Sequence, residues 1–221
     1  MRKFLLAAIL AVCCASAFGQ GKYYTKRNRL DDFQTRTTRI VLTGQDMFDA
    51  IIKEEVASRW MLSPYEFCTV QQYLADKLSN LYYFVRFAFD EDFTYMVVTK
   101  SGDPEDSDQL KQGFDVVMLP IAPAQMSMGD ELLYFPAYID ILQYYLEQAQ
   151  LSEKVAYRGL KAICSKPVGV IYSDPDQAAA AFASGEKYAN VKVVIPSSSG
   201  RKTCELVFTT DTHQLRSIRK K

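Results

Sequence analysis

Few residues of this chain have both the type and the spacing for chemistry. His213 is the only histidine, so a zinc site and a serine or cysteine nucleophile served by a histidine base both lack their parts. It falls in a turn expected over Thr210 to His213. Ser197-Ser198-Ser199-Gly200-Arg201-Lys202-Thr203 has the outline of a phosphate loop. It lacks the first glycine, Arg201 separates Gly200 from Lys202, and a strand follows instead of a helix, so it reads as a turn. Asp103, Glu105 and Asp108 invite a calcium reading, but the central glycine and distal bidentate glutamate are missing, and a solvated acidic loop is the simpler account. GxGxxG and GxSxG are absent. The remaining candidates are the carboxylates Glu66, Asp90, Asp92, Asp115 and Asp140. Acid and base work would require two of them to converge in one cleft with one desolvated, and nothing in the spacing brings Glu66 to Asp90. No catalytic, cofactor-binding or metal-binding residue is therefore assigned, and no cofactor is expected.

The elements that would position such groups begin after residue 19. Arg2-Lys3, the apolar Phe4 to Cys14 and the small Ala15-Ser16-Ala17 read as a secretory signal over residues 1–19. It is too short to span a bilayer. Cleavage after Ala17 or after Gly19 fits, and the second is preferred, leaving Gln20 at the new N-terminus. Lipidation is disfavoured because Val12, not a small residue, precedes Cys13. Lys plus Arg and Asp plus Glu each total 26, and the leader removes Arg2 and Lys3 but no acid. The remainder is faintly acidic, which gives no footprint for nucleic acid. No later segment has the apolar length of a transmembrane helix, so a periplasmic or secreted protein is expected. Cys68, Cys164 and Cys204 remain after the leader, an odd number that allows one internal bridge. If one forms, the expected pair is Cys164 with Cys204, with Cys68 a buried free thiol.

Residues 20–38 are basic, with the pair Tyr23-Tyr24, and read as a flexible or loosely docked lead-in. Arg39 to Leu42 is strand-like. A helix follows from Thr43 or Gly44, with Met47, Phe48, Ile51, Ile52 and Val56 on one stripe and Asp49, Lys53 and Glu54 facing away. Leu62 to Cys68 is extended. Thr69 with Gln72 forms a capping box that opens a helix over Val70 to Ser79. Leu81 to Phe89 has apolar residues on both faces, as in a strand buried on both sides, with helices over each. The stripes on Met47 to Val56 and on Tyr138 to Ala149 suit those covers. On that reading Phe87→Ala costs about 3–5 kcal/mol, and Arg86 lies toward a strand end or finds a carboxylate, for which the loop Asp90 to Asp92 is one source. Phe93 to Thr99 returns, Phe114 to Leu119 is a strand ended by Pro120, and Pro123 to Asp130, with Met126 and Met128, is a covering loop. Val155 to Ile163 is ambiguous. After Pro167 come a strand over Val168 to Tyr172, a helix capped by Asp174 and ended at Gly185, and strands over Val191 to Ile195, Cys204 to Thr209 and Gln214 to Arg219.

The order strand, helix, strand, strand occurs twice, with caps at Thr69 and Asp174. The expected fold is therefore α/β (or α+β), a mixed β-sheet covered by helices, with two β-α-β-β units related by an internal pseudo-repeat. Residues 39–128 would form the first unit and 129–221 the second, sharing one core or packed as two sheets with a ligand groove between the halves.

Trp60, Ser63-Pro64-Tyr65-Glu66-Phe67 and Tyr82-Tyr83-Phe84 together resemble a group of uncharacterised exported proteins of Bacteroidetes. The resemblance implies an envelope or secreted location and brings no activity, cofactor or catalytic residue. Export, 14 tyrosines and the absence of a catalytic constellation point to a non-catalytic binding module of the cell envelope. Its partner would be an envelope protein, peptide or glycan, and its oligomeric state is open. The alternative is a carboxylate-dependent hydrolase or transferase acting on envelope polymers.

Overall fold

In a computed structural model, residues 25–102, 113–124 and 130–221 are described. The signal, the acidic loop at 103–108 and Met126 and Met128 lie outside them. The first sheet contains β1 (Thr37–Val41), β2 (Tyr65–Cys68), β3 (Tyr82–Phe89), β4 (Phe93–Lys100) and β5 (Phe114–Pro123), in the order β2-β1-β3-β4-β5. The second contains β6 (Val170–Tyr172), β7 (Ala189–Pro196), β8 (Thr203–Thr209) and β9 (Leu215–Lys220), in the order β6-β7-β8-β9. Both sheets are mixed: β1 runs parallel to β2 and β3, and β6 to β7, and the remaining pairs are antiparallel. The helices are α1 (Asp46–Arg59), α2 (Val70–Asp76), α3 (Phe135–Leu151), α4 (Glu153–Arg158) and α5 (Pro175–Ser184). The fold is α+β, and residues from both sheets share one apolar core.

Local chemistry sets the helix ends. Thr69 and Gln72 form the reciprocal capping box at the start of α2. Asp174 accepts the Gln177 N–H at the start of α5, Pro175 takes the first turn, and Gly185 closes the helix in the left-handed region. Long-range pairing then sets the faces. The chain steps from β1 to β2 through α1, and from β2 back past β1 to β3 through α2. Right-handed crossovers in opposite directions put the two helices on opposite faces. Phe87 accordingly meets Phe48 of α1 at 5.0 Å, whereas Phe84 meets Tyr73 of α2 at 4.9 Å.

Several expectations change. The stripes of α1 and α3 do not take one face each; both pack on the face of Tyr83 and Val85, and α2 covers the other. Met47 is solvent-exposed and Asp49 is buried, the reverse of the periodicity reading, because Asp49 bonds back to the turn before α1. Leu81 and Phe89, at the ends of the central strand, are exposed, and Phe87 is half-buried. Arg86 reaches across β4 to Asp115 at 2.8 Å, and not to residues 90–92. Pro120 does not end β5: the strand lies on the sheet edge with a register shift beside it, where a missing N–H is tolerated. The lead-in is packed from residue 25 onward. Leu30 and Phe33 are fully buried, and Asp32 accepts from the Tyr83 hydroxyl at 2.6 Å and from Lys100 Nζ at 2.9 Å. Cys164 and Cys204 are not bridged: among the described residues Cys68, Cys164 and Cys204 are free thiols, Cys68 buried as expected and Cys204 buried as well. The order of elements recurs in the two halves but the pairing does not, because β6 lies directly beside β7 while β1 separates β2 from β3.

Candidate functional site: a crevice at the carboxyl ends of the parallel strands

In a parallel arrangement that reverses direction across β1, the chain leaves neighbouring strands toward opposite faces, and a crevice opens outside their carboxyl ends. This protein has one of about 350 Å³, lined by Val41 at the end of β1 and Leu42 after it, Phe48 of α1, Val70 of α2, and Phe87 and Phe89 of β3. Phe89 is 77% exposed and Val70 41%, and Met47, 81% exposed, stands in the first turn of α1. Among the described residues that line the crevice, none has an ionisable side chain.

Crevices of this kind commonly hold anions on helix N-termini. Here α2 is capped by its own side chains, whereas α1 has no side-chain cap at Gln45 but carries Asp46 and Asp49 in its first turn, and Asp49 bonds the loop ahead of it. Asp49 Oδ1 accepts the Thr43 N–H at 2.7 Å and its hydroxyl at 2.9 Å, and Oδ2 accepts the Gly44 N–H at 2.9 Å. At α2 the Thr69 hydroxyl accepts the Gln72 N–H at 3.2 Å, and Gln72 Oε1 accepts the Thr69 N–H at 2.8 Å. An anion approaching α1 would meet the first-turn carboxylates of Asp46 and Asp49. The crevice is therefore suited to an uncharged apolar or aromatic group, whose burial yields roughly 25 cal/mol per Å² of apolar surface removed from water.

The five carboxylates singled out in the sequence fall in five separate settings. Glu66 and Asp76 together grip Arg39, whose guanidinium lies 3.7 Å from the Tyr82 ring centre. Asp90 is penalised by burial, but the Tyr95 hydroxyl and the N–H groups of Phe93 and Asp92 outweigh that and hold its carboxyl below the usual range. Asp92 pairs with Lys202 at 2.6 Å, and Asp115 with Arg86. Asp140 accepts from Arg59 at 3.0 Å and lies 2.7 Å from His213 Nδ1. His213 sits in the β8–β9 turn at positive φ, its ring stacked on Phe182 at 5.0 Å. Arg59 and Asp140 border a cavity of about 410 Å³. The groove expected between the halves is present as a cavity of about 580 Å³ between β5 and the segment Arg158 to Lys161, with Lys220 on its wall. The serine-rich stretch at 197–203 is the β7–β8 turn, where Ser197 N–H donates to Lys202 C=O at 2.8 Å. Among the described residues no three His, Cys, Asp or Glu gather as a metal site would require.

Sequence reasoning missed the crevice residues. Val70 and Phe89 read as parts of a helix and a strand, and their convergence depends on β1 entering between β2 and β3, which no local pattern announces. Comparisons of the chain with protein-family models, with curated proteins and with solved structures return no match.

Proposed function

We propose that this protein is an exported, non-catalytic binding module of the cell envelope, and that the crevice at the carboxyl ends of β1 and β3 receives an apolar or aromatic group of its partner. The observation that carries the reading is a crevice lined without any ionisable side chain, with Val70 and Phe89 exposed at it. Such exposure costs solubility unless something covers it. The separate pairing of Glu66, Asp90, Asp92, Asp115 and Asp140 adds support, since acid–base catalysis on a polymer needs two carboxylates in one cleft. Export rests on the N-terminal leader and on the resemblance to exported Bacteroidetes proteins.

The test is photo-crosslinking in exporting cells with p-benzoylphenylalanine at Phe89, an exposed residue of the crevice. A discrete adduct that disappears when Val70→Glu is added supports the reading. No adduct from Phe89, or one indifferent to Val70→Glu, sinks it.

A further inference from the structure

The second sheet has an unfilled place along one edge. β7 runs from Ala189 to Pro196, yet β6 pairs only with Ala189 to Val191, and among the described residues no strand lies beside the rest on the side away from β8. The direction of the backbone groups follows from three hydrogen bonds. Ser197 N–H donates to Lys202 C=O at 2.8 Å and Thr210 N–H to Ala189 C=O at 3.1 Å, so the odd-numbered residues of β7 face β8. Val170 N–H donates to Tyr188 C=O at 3.2 Å, so the even-numbered ones face β6. Beyond Tyr172 the open edge therefore presents the Lys192 carbonyl, the N–H and carbonyl of Val194, and the Pro196 carbonyl, at the strand repeat of about 7 Å per two residues. A cavity of about 580 Å³ continues the line of β6 there, walled by Leu133, Tyr134, Ala178 and Ala179, with Asp176 and Lys192 also lining it.

We propose that this edge binds an extended peptide segment of a partner protein, laid along β7 in the place that β6 vacates, with one small or apolar side chain entering the cavity. Alternating N–H and C=O groups at this spacing match another polypeptide backbone, which is the chemistry of strand addition. Leu133, Tyr134 and two alanines give the cavity an apolar wall for such a side chain, and Asp176 and Lys192 contribute one charge of each sign beside it. Pro196 has no N–H and ends the row of donors, so the Val194 N–H is the donor on which the site depends. The inference rests on the reading of the protein as a binder but not on the crevice.

Val194 is 49% exposed and its N–H lies outside the β8 ladder, so Val194→Pro removes that donor at an edge position where proline is tolerated. The experiment pans a phage-displayed library of random peptides on the chain from Gln20 and measures the selected peptides by fluorescence anisotropy. Native protein and Val194→Ala should bind alike, whereas Val194→Pro should weaken binding by roughly tenfold or more and Val70→Glu should not. Amide exchange at Val194 of the native chain should slow on peptide addition, a readout independent of how Val194→Pro folds. Failure to select any peptide, equal binding by Val194→Pro, or unchanged Val194 exchange overturns the proposal. Peptides lost to Val70→Glu but not to Val194→Pro would overturn it while upholding the crevice.

Discussion

The two sheets use the same order of elements and solve burial differently. Around β3, apolar residues face both ways: Tyr83 and Val85 belong to the main core, while Phe84 joins Val41 and Cys68 under Tyr73 of α2. Around β7, alternation has one apolar side. Val191, Val193 and Ile195 face the core with Leu206 and Phe208, while Lys192 and Val194 alternate toward the other side, where Lys192 and Lys221 pair with Glu205. Inserting one strand, β1, makes the difference. It lets crossover helices occupy both faces of the first sheet, whereas a single direct crossover between β6 and β7 supplies one helix and leaves one face to water.

The largest effect that can break this comparison is at Phe84, which is fully buried under a seven-residue helix. Phe84→Ala should cost about 3–5 kcal/mol by denaturant unfolding, whereas Val194→Ala, across the strand from the core of the other sheet, should stay within about 0.5 kcal/mol. Equal losses would mean that the two outer faces are covered alike. Phe87→Ala should fall between these, at about 2–3 kcal/mol, because Phe87 is half-buried and keeps contacts with Phe48 and Phe135.

Gly169 sharpens the comparison on the side of the second sheet. It has φ +88°, and a Cβ there would stand 1.7 Å from the Tyr188 carbonyl oxygen. Gly169→Ala should cost about 1–3 kcal/mol, with hydrogen exchange accelerated at Val170 to Tyr172 and unchanged at β3 and β4. Uniform acceleration across both sheets would show that β6 is not a separable edge.

The smallest effect concerns a point on which the sheets agree. Burial pushes the Cys68 and Cys204 thiols up to about 11, and raises that of the half-buried Cys164 as well. Iodoacetamide near pH 8 should therefore modify Cys164 first, and all three equally once the chain is unfolded. A raised thiol pKa means that the folded state holds its proton longer. The stability this contributes is complete below the ordinary thiol value of 9.0 and is lost as pH climbs toward about 11. Rapid labelling of Cys204 in the native chain would contradict the burial.

What could be read from the residues was local. The Thr69–Gln72 box, the Asp174 cap, Gly185 and the turns at 90–92, 197–202 and 210–213 each declare themselves over four to eight positions, and each stands where it was expected. What could not be read depended on partners far along the chain. Periodicity assigned Met47 inward and Asp49 outward because it has no account of a carboxylate that turns back to hold the loop ahead of its own helix. It treated α1 and α3 as covers for opposite faces because strand order, β2-β1-β3, is not encoded in hydrophobic spacing. The crevice and the open edge of β7 are products of strand order, so both were invisible in the sequence.

α3 lies in the second half of the sequence, yet Phe135 packs on Phe48 of α1 and on Phe87 of β3, and Tyr138, Leu142 and Tyr145 fill the shared core. A chain severed between Ala124 and Asp130 would leave the first fragment without the wall over Tyr83 and Val85, and the second with an unprotected aromatic helix. The two pieces are thus complementing fragments, each the other's missing solvent shield. A split reporter joined across that cut should regain its signal only when both halves are made together.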